Sequence, residues 1–262
     1  MSDLLKVDAI AKAFGELAII KDLTLSAAEG EFLSVVGPSG CGKTTLLMSI
    51  AGLIGIDAGS VDFDGQRISD PPPGLAVVFQ DYSRSLLPWK SNLDNVVFGM
   101  RRVVGLDARA KKDKARQVLA SVGLGGFETY YPWQVSGGMQ QRVAIARALA
   151  ANSRLLLLDE PLAAVDAQTR AEMQDLLLEL ARTYKQTCLL VTHDVDEAVY
   201  LADRVVVLSK RPTSVVESID VALPKPRDQI ATRSDPVYLQ IRAHVLSRIK
   251  AMQSNATATV AA

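Results

Sequence analysis

Nine consecutive residues, Gly37, Pro38, Ser39, Gly40, Cys41, Gly42, Lys43, Thr44 and Thr45, have the composition of a loop that holds phosphate. The glycines let the backbone curl so that successive N–H groups point at one anion, and Lys43 adds positive charge near the β and γ phosphates. The Thr44 hydroxyl can complete a magnesium shell. The loop follows the apolar run 32–36 and opens a helix pattern, so a helix N-terminus adds to the same field. That strand-before, helix-after context separates a nucleotide loop from a Gly-rich surface turn that happens to carry a lysine.

A second constellation supplies proton handling. The apolar run 154–158 ends in Asp159 and Glu160, and ligands bind at such strand ends in open parallel sheets. Asp159 suits magnesium, directly or through water, while Glu160, facing the other way, suits an attacking water; the plainer alternative is a strand capped by solvated acids. The run 187–192 closes in the same manner on His193, which brings an imidazole to the edge where a γ-phosphate would lie. Gln80 ends the run 75–79 as a further strand-end polar group, unremarkable on its own. Ser136, Gly137 and Gly138 lead into an apolar helix at 143–150 and form a second anion-binding element. One triphosphate already has a complete cradle in 37–45. The second element is therefore expected to cap the nucleotide of another copy, in a dimer with two ATP molecules at its interface.

The elements that must position these groups are legible as pattern. The runs 32–36, 154–158, 187–192 and 204–208 are short and nearly all apolar, as in strands of a parallel sheet covered on both faces. Weak period-2 alternation at 7–11, 20–25 and 59–67, the last with the Asp64-Gly65 turn, predicts a small antiparallel β lobe. Helices are expected at 43–51, 109–122, 167–184 and 237–252. Strand-like runs disappear between 82 and 135, which reads as an inserted helical lobe. The predicted fold class is α/β, with a mostly parallel sheet, a small antiparallel β lobe and that helical insertion. The domain reading is one nucleotide-binding domain over 1–235, a C-terminal helix over 236–253 and a flexible tail over 254–262. Within the domain, 1–81 holds the β lobe and part of the core, 82–135 the helical lobe, and 136–235 the rest of the core.

Composition narrows the partners. Lys plus Arg and Asp plus Glu each total 29 in 262 residues, so the global basic excess that marks a nucleic-acid binder is missing and no nucleic acid is expected. No window approaches an uninterrupted apolar membrane span, and no leader pattern follows the Met-Ser-Asp start. A membrane role must come through a partner. The two cysteines, Cys41 and Cys188, are expected to stay thiols, with no metal site between them.

Taken together, these motifs resemble those of the nucleotide-binding subunit of an ATP-binding cassette (ABC) transporter, over nearly the whole chain. The resemblance implies a RecA-like P-loop core, ATP and Mg2+ as cofactors, and ATP hydrolysis as the activity. It implies that Phe14 stacks on adenine, that residues 37–45 bind phosphates, and that Thr44, Gln80 and Asp159 surround magnesium. Glu160 becomes the general base and His193 the γ-phosphate sensor, with Lys43 the catalytic cation. Ser136, Gly137 and Gly138 act in trans, and Asp166 reaches across the dimer. Implied partners are a second copy or a related ABC subunit, transmembrane permease subunits and, indirectly, a solute-binding protein. The implied location is the cytoplasmic face of a bacterial inner membrane.

Val135 and Met139 depart from the leucine and glutamine usual in the signature, Phe14 replaces a frequent tyrosine, and Ala163-Ala164-Val165 replaces Ser-Ala-Leu. None of these removes a phosphate-binding or proton-handling group. The stretch 79–89, the run Leu208-Ser209-Lys210-Arg211-Pro212 and Leu223-Pro224-Lys225-Pro226-Arg227 are similar to the nitrate, sulfonate and taurine branch of importers, which implies a small anionic solute. The rival reading is a soluble mechanochemical ATPase acting on nucleic acid or ribosomes. One compact cassette without a basic stripe opposes it.

Overall fold

The computed structural model describes residues 3–81, 85–163 and 165–259, with side chains to 252. Part of the 79–89 stretch and Ala164 therefore lie outside the described residues. Among the described residues the strands run in chain order as β1 (Asp3–Phe14), β2 (Leu17–Ala28), β3 (Phe32–Val36), β4 (Ala58–Phe63), β5 (Gln66–Arg67), β6 (Leu75–Val78), β7 (Leu155–Asp159), β8 (Thr187–Thr192), β9 (Arg204–Leu208) and β10 (Val215–Asp220). The helices are α1 (Lys43–Ile50), α2 (Asn92–Gly99), α3 (Ala108–Ser121), α4 (Gly137–Ala150), α5 (Ala167–Thr183), α6 (Val195–Leu201), α7 (Ala231–Ser234) and α8 (Pro236–Thr259). They divide into two compact units, Met1–Pro72 with Thr187–Ala262, and Pro73–Gln186.

The first unit contains the predicted β lobe, an antiparallel sheet ordered β2-β1-β4-β5. Its two long strands exceed the short alternating stretches seen in sequence, because bulges interrupt the period on β1 between Val7 and Ala13. Beside the lobe, β3 pairs in parallel with both β8 and β9. Every residue of β3 and β8 is buried, which is why these runs carry no alternation. Burying each such aliphatic side chain contributes about 1.5–3 kcal/mol. The helix α6 covers β3, and α8 packs on α6. An antiparallel edge strand, β10, extends β9. Its half-exposed Val-Val-Glu-Ser-Ile-Asp pattern gave no strand signal strong enough to be read from sequence.

In the second unit β6 and β7 pair in parallel, and no strand forms between them in sequence among the described residues. Instead α2 and α3 pack on α4 and on each other. Ser91 caps α2 and Asp107 caps α3, each accepting a backbone N–H three residues on. Ala115, Val118 and Leu119 form the buried face of α3, as their spacing predicts. The last helix of the first unit, α8, continues to Thr259, into the stretch that composition marked as a tail. No described helix is long and apolar enough to cross a membrane.

Candidate functional site

In the first unit the loop 37–42 leaves the buried carboxyl end of β3 and turns directly into α1. Gly42 is the helix N-cap at φ 115°, a backbone conformation that side chains oppose, and a Cβ there would lie 2.6 Å from Ile19 Cγ2. A Cβ on Gly37 would press on Cys41 Sγ and Leu208 Cβ, both at 3.1 Å. No side chain caps α1, no acid sits in its first turn, and the first helical bond closes only at Leu46 N to Gly42 O, 2.9 Å. The leading amides keep their outward orientation and their partial positive charge. Lys43, only 6% exposed, folds back over its own loop and donates to the carbonyls of Gly37 at 3.0 Å and Pro38 at 3.2 Å. The outcome is a concave, cationic turn whose donor set fits a polyphosphate.

The loop is anchored from behind by a residue the sequence did not advertise. Thr213, fully buried, donates its hydroxyl to the Cys41 carbonyl. Its own backbone bonds Ile19 O at 2.7 Å and Lys21 N at 3.0 Å. A threonine after Arg211-Pro212 has no pattern that could have flagged this. Burial pushes the Cys41 thiol up, and the nearby Lys43 charge only partly opposes that shift, so the thiol stays protonated at neutral pH. Cys188, wholly buried in β8, is pushed up to about 12 by the same desolvation. Both cysteines are free thiols.

The register of β3 and β8 pairs Val36 with Thr192, so Gly37 and His193 leave adjacent parallel strands at one level. His193 itself is exposed on a buried support. Phe14 ends β1 at the tip of the β1–β2 hairpin, 51% exposed, with Lys12 Nζ 5.4 Å from its ring centroid. The Lys12 ammonium lies over this ring, and a half-exposed ring of this kind can still offer surface to a flat base.

In the second unit Val78 pairs with Leu158, which brings Gln80 and Asp159–Glu160 off neighbouring strand ends. Gln80 Nε2 lies 3.5 Å from Glu160 Oε2. Asp159, 4% exposed, closes a strand in which every residue is buried. Glu160 sits at φ 43°, an uncommon conformation for a non-glycine residue that turns the chain sharply after the strand. That turn is held by Ala163 N to Glu160 O at 3.2 Å, and by Gln141 on α4, whose amide donates to the Pro161 carbonyl. Gln141 is fully buried and has no charge or motif that marks it in sequence.

The helix α4 starts at Gly137, six residues before its apolar run, because Ser136 caps it: the Ser136 hydroxyl accepts Met139 N at 3.3 Å. Gly138 approaches α5, where a Cβ would stand 3.2 Å from Thr169 Cγ2. Asp166 caps α5 through the same threonine, accepting Thr169 N at 3.0 Å and its hydroxyl at 2.7 Å. Those two bonds, the backbone one first, hold the Asp166 carboxyl below its ordinary value. Gly138 and Asp166 thus both meet the Thr169 side chain.

Among the described residues no three His, Cys, Asp or Glu side chains gather as a metal cluster.

A family model described as ABC transporter matches residues 20–163. The chain is 45% identical over 250 residues to an uncharacterized ABC transporter ATP-binding protein of Methanocaldococcus jannaschii, covering 94% of this chain and 91% of that protein. It is 43% identical over 250 residues to the taurine import ATP-binding protein TauB of Escherichia coli (strain K12), covering 94% and 97%. Among solved structures, cbiO1 from Clostridium perfringens, part of the ABC transporter complex cbiONQ, matches with TM-score 0.76 and 26% identity over 84% of this chain and 90% of that one. A dimeric ATP-binding cassette in a post-hydrolysis state bound to ADP and Pi matches with TM-score 0.73 and 32% identity over 83% and 98%.

Proposed function

The chain belongs to the ABC transporter ATP-binding proteins, and from that premise we propose that it is the ATP-hydrolysing subunit that powers an importer of a small anionic solute of the taurine, sulfonate or nitrate kind. The observation that carries the ATPase part is the Lys43 ammonium folded onto the Gly37 and Pro38 carbonyls at the mouth of an uncapped helix. The identity to the taurine import protein over nearly both lengths supports the solute class. The reading makes the protein a dimer working with permease subunits and a solute-binding protein, at the cytoplasmic face of a cell membrane. Relatives span bacteria and archaea, so a bacterial inner membrane is the narrower form of that reading.

Residue roles follow the local chemistry. The loop amides of 37–45 and Lys43 bind and orient the phosphates, and Phe14 offers its exposed ring to adenine. Thr44, Gln80 and Asp159 would hold Mg2+, which supplies charge neutralisation at the β and γ phosphates when bound. Glu160, presented by its strained backbone and half-buried, accepts the proton of the attacking water. His193 donates toward the γ-phosphate. Ser136, Gly137 and Gly138 contact the nucleotide of a second copy, with Asp166 at the same interface.

The test is reconstitution in lipid vesicles with its permease subunits and solute-binding protein. Taurine or a related anion should enter only with ATP and Mg2+ on the side of this subunit. Hydrolysis stimulated by nucleic acid or ribosomes, and indifferent to the vesicle partners, would reject the transport reading.

A further inference from the structure

We propose that Thr192 is a positioning residue for His193, acting through a closed ring of three hydrogen bonds that brackets the histidine. Thr192 Oγ1 donates to Glu197 Oε2 at 2.5 Å. The Glu197 backbone N–H donates to Asp194 Oδ1 at 3.1 Å, and the Asp194 N–H donates back to Thr192 Oγ1 at 3.0 Å. His193 is the one residue between two members of the ring, so its backbone dihedrals are fixed from both sides. The inference rests on the reading of His193 as the γ-phosphate contact.

The chemistry suits precision rather than bulk stability. Thr192 and Glu197 are 2% and 3% exposed, so the hydroxyl-to-carboxylate bond operates in a low dielectric and is charge-assisted. A β-branched residue ending a strand has few rotamers, and this bond selects one of them. The exposed imidazole therefore stands on a buried polar frame. The frame is braced in turn: Asp196, between Asp194 and Glu197 in the sequence, accepts Arg242 Nε at 2.6 Å and the Tyr238 hydroxyl at 3.1 Å from α8. An apolar residue at 192 would also withdraw a donor from the buried Glu197 carboxylate, so melting temperature must be read beside kcat to separate positioning from stability. Small displacements of a catalytic contact cost rate far more than stability.

The experiment is a double-mutant cycle on the full-length protein, reading kcat, ATP affinity and melting temperature. Thr192→Val should lower kcat roughly tenfold, about the value of one hydrogen bond, with ATP affinity within about twofold of the parent. Thr192→Ser, which keeps the hydroxyl, should restore most of the rate. In a His193→Ala background, Thr192→Val should have no further effect, because its action passes through the missing imidazole. Losses that multiply in the double variant, parental turnover in Thr192→Val, or a Ser variant as slow as the Val variant would each overturn the inference. A His193→Ala variant with full turnover would instead reject the sensor reading on which it rests. Should Thr192→Val not fold, Glu197→Leu removes the acceptor of the same hydroxyl and takes the same cycle.

Discussion

Two helix N-termini in this molecule face the same task by opposite means. At α1 the cap is a glycine with no side-chain bond, held at φ 115° against Ile19, and no acid sits in the first turn. At α4 the cap is Ser136, whose hydroxyl already accepts Met139 N. The first end is built open by its own unit. The second is satisfied within its own chain, and its hydroxyl still has a proton to donate. One helix start is thus left without a side-chain cap and the other is capped by its own serine, and under the proposed function the second is the one that gains by meeting another copy's nucleotide.

The comparison can be broken most severely at Lys43. Replacing it with alanine removes the buried ammonium from the α1 loop and should lower kcat/KM about a thousandfold, with ATP binding lost in a calorimetric titration. Retained affinity would mean the cradle is not the primary site. Next in size is Gly42→Ala. Its Cβ meets Ile19 and the left-handed backbone opposes it, so a loss of about 1–3 kcal/mol is expected. Melting temperature and ATP affinity should fall together; an unchanged protein would show that the open cap is not what glycine maintains.

At α4 the expected effects are smaller and differently distributed. Ser136→Ala removes a helix cap, which costs about 1 kcal/mol, and should slow turnover about tenfold while leaving ATP binding to the monomer intact. Weakened monomer binding would erase the distinction between the two helix ends. Smallest of all is the acid response of Asp166. Its folded value lies below the ordinary 3.8 because Thr169 supplies two bonds, so its contribution is complete above that value and is lost as pH falls through the lower folded one. Asp166→Asn should flatten that part of an acid stability curve and leave neutral stability nearly unchanged.

The sequence exposed the chemistry better than its supports. Strands 32–36, 187–192 and 204–208 match the structure residue for residue, because full burial on both faces leaves an uninterrupted apolar run. Asp159, Glu160 and His193 are legible for a related reason, since they follow such runs, and Lys43 is legible from the glycine-rich loop that precedes it. Thr213, Gln141 and the ring of Thr192, Asp194 and Glu197 were not. Their work is done through bonds to backbone or neighbouring side chains whose partners lie across the fold or a few positions away, and no residue type announces that. The apolar run at 143–150 marks the start of α4 too late for a similar reason, since Gly137 and Gly138 are poor helix formers and only the Ser136 cap brings them into the helix. The edge strand β10 escaped because an exposed edge alternates weakly.

Under the proposed function, the cradle of one copy is completed by the capped helix of another. The direct test is the mass and nucleotide content of the Glu160→Gln variant in ATP and Mg2+, measured by light scattering with quantified bound nucleotide. A stable dimer holding two ATP molecules is expected, which Ser136→Ala in the same chain returns to monomer. A monomer that binds one ATP at full affinity and never dimerises would contradict it.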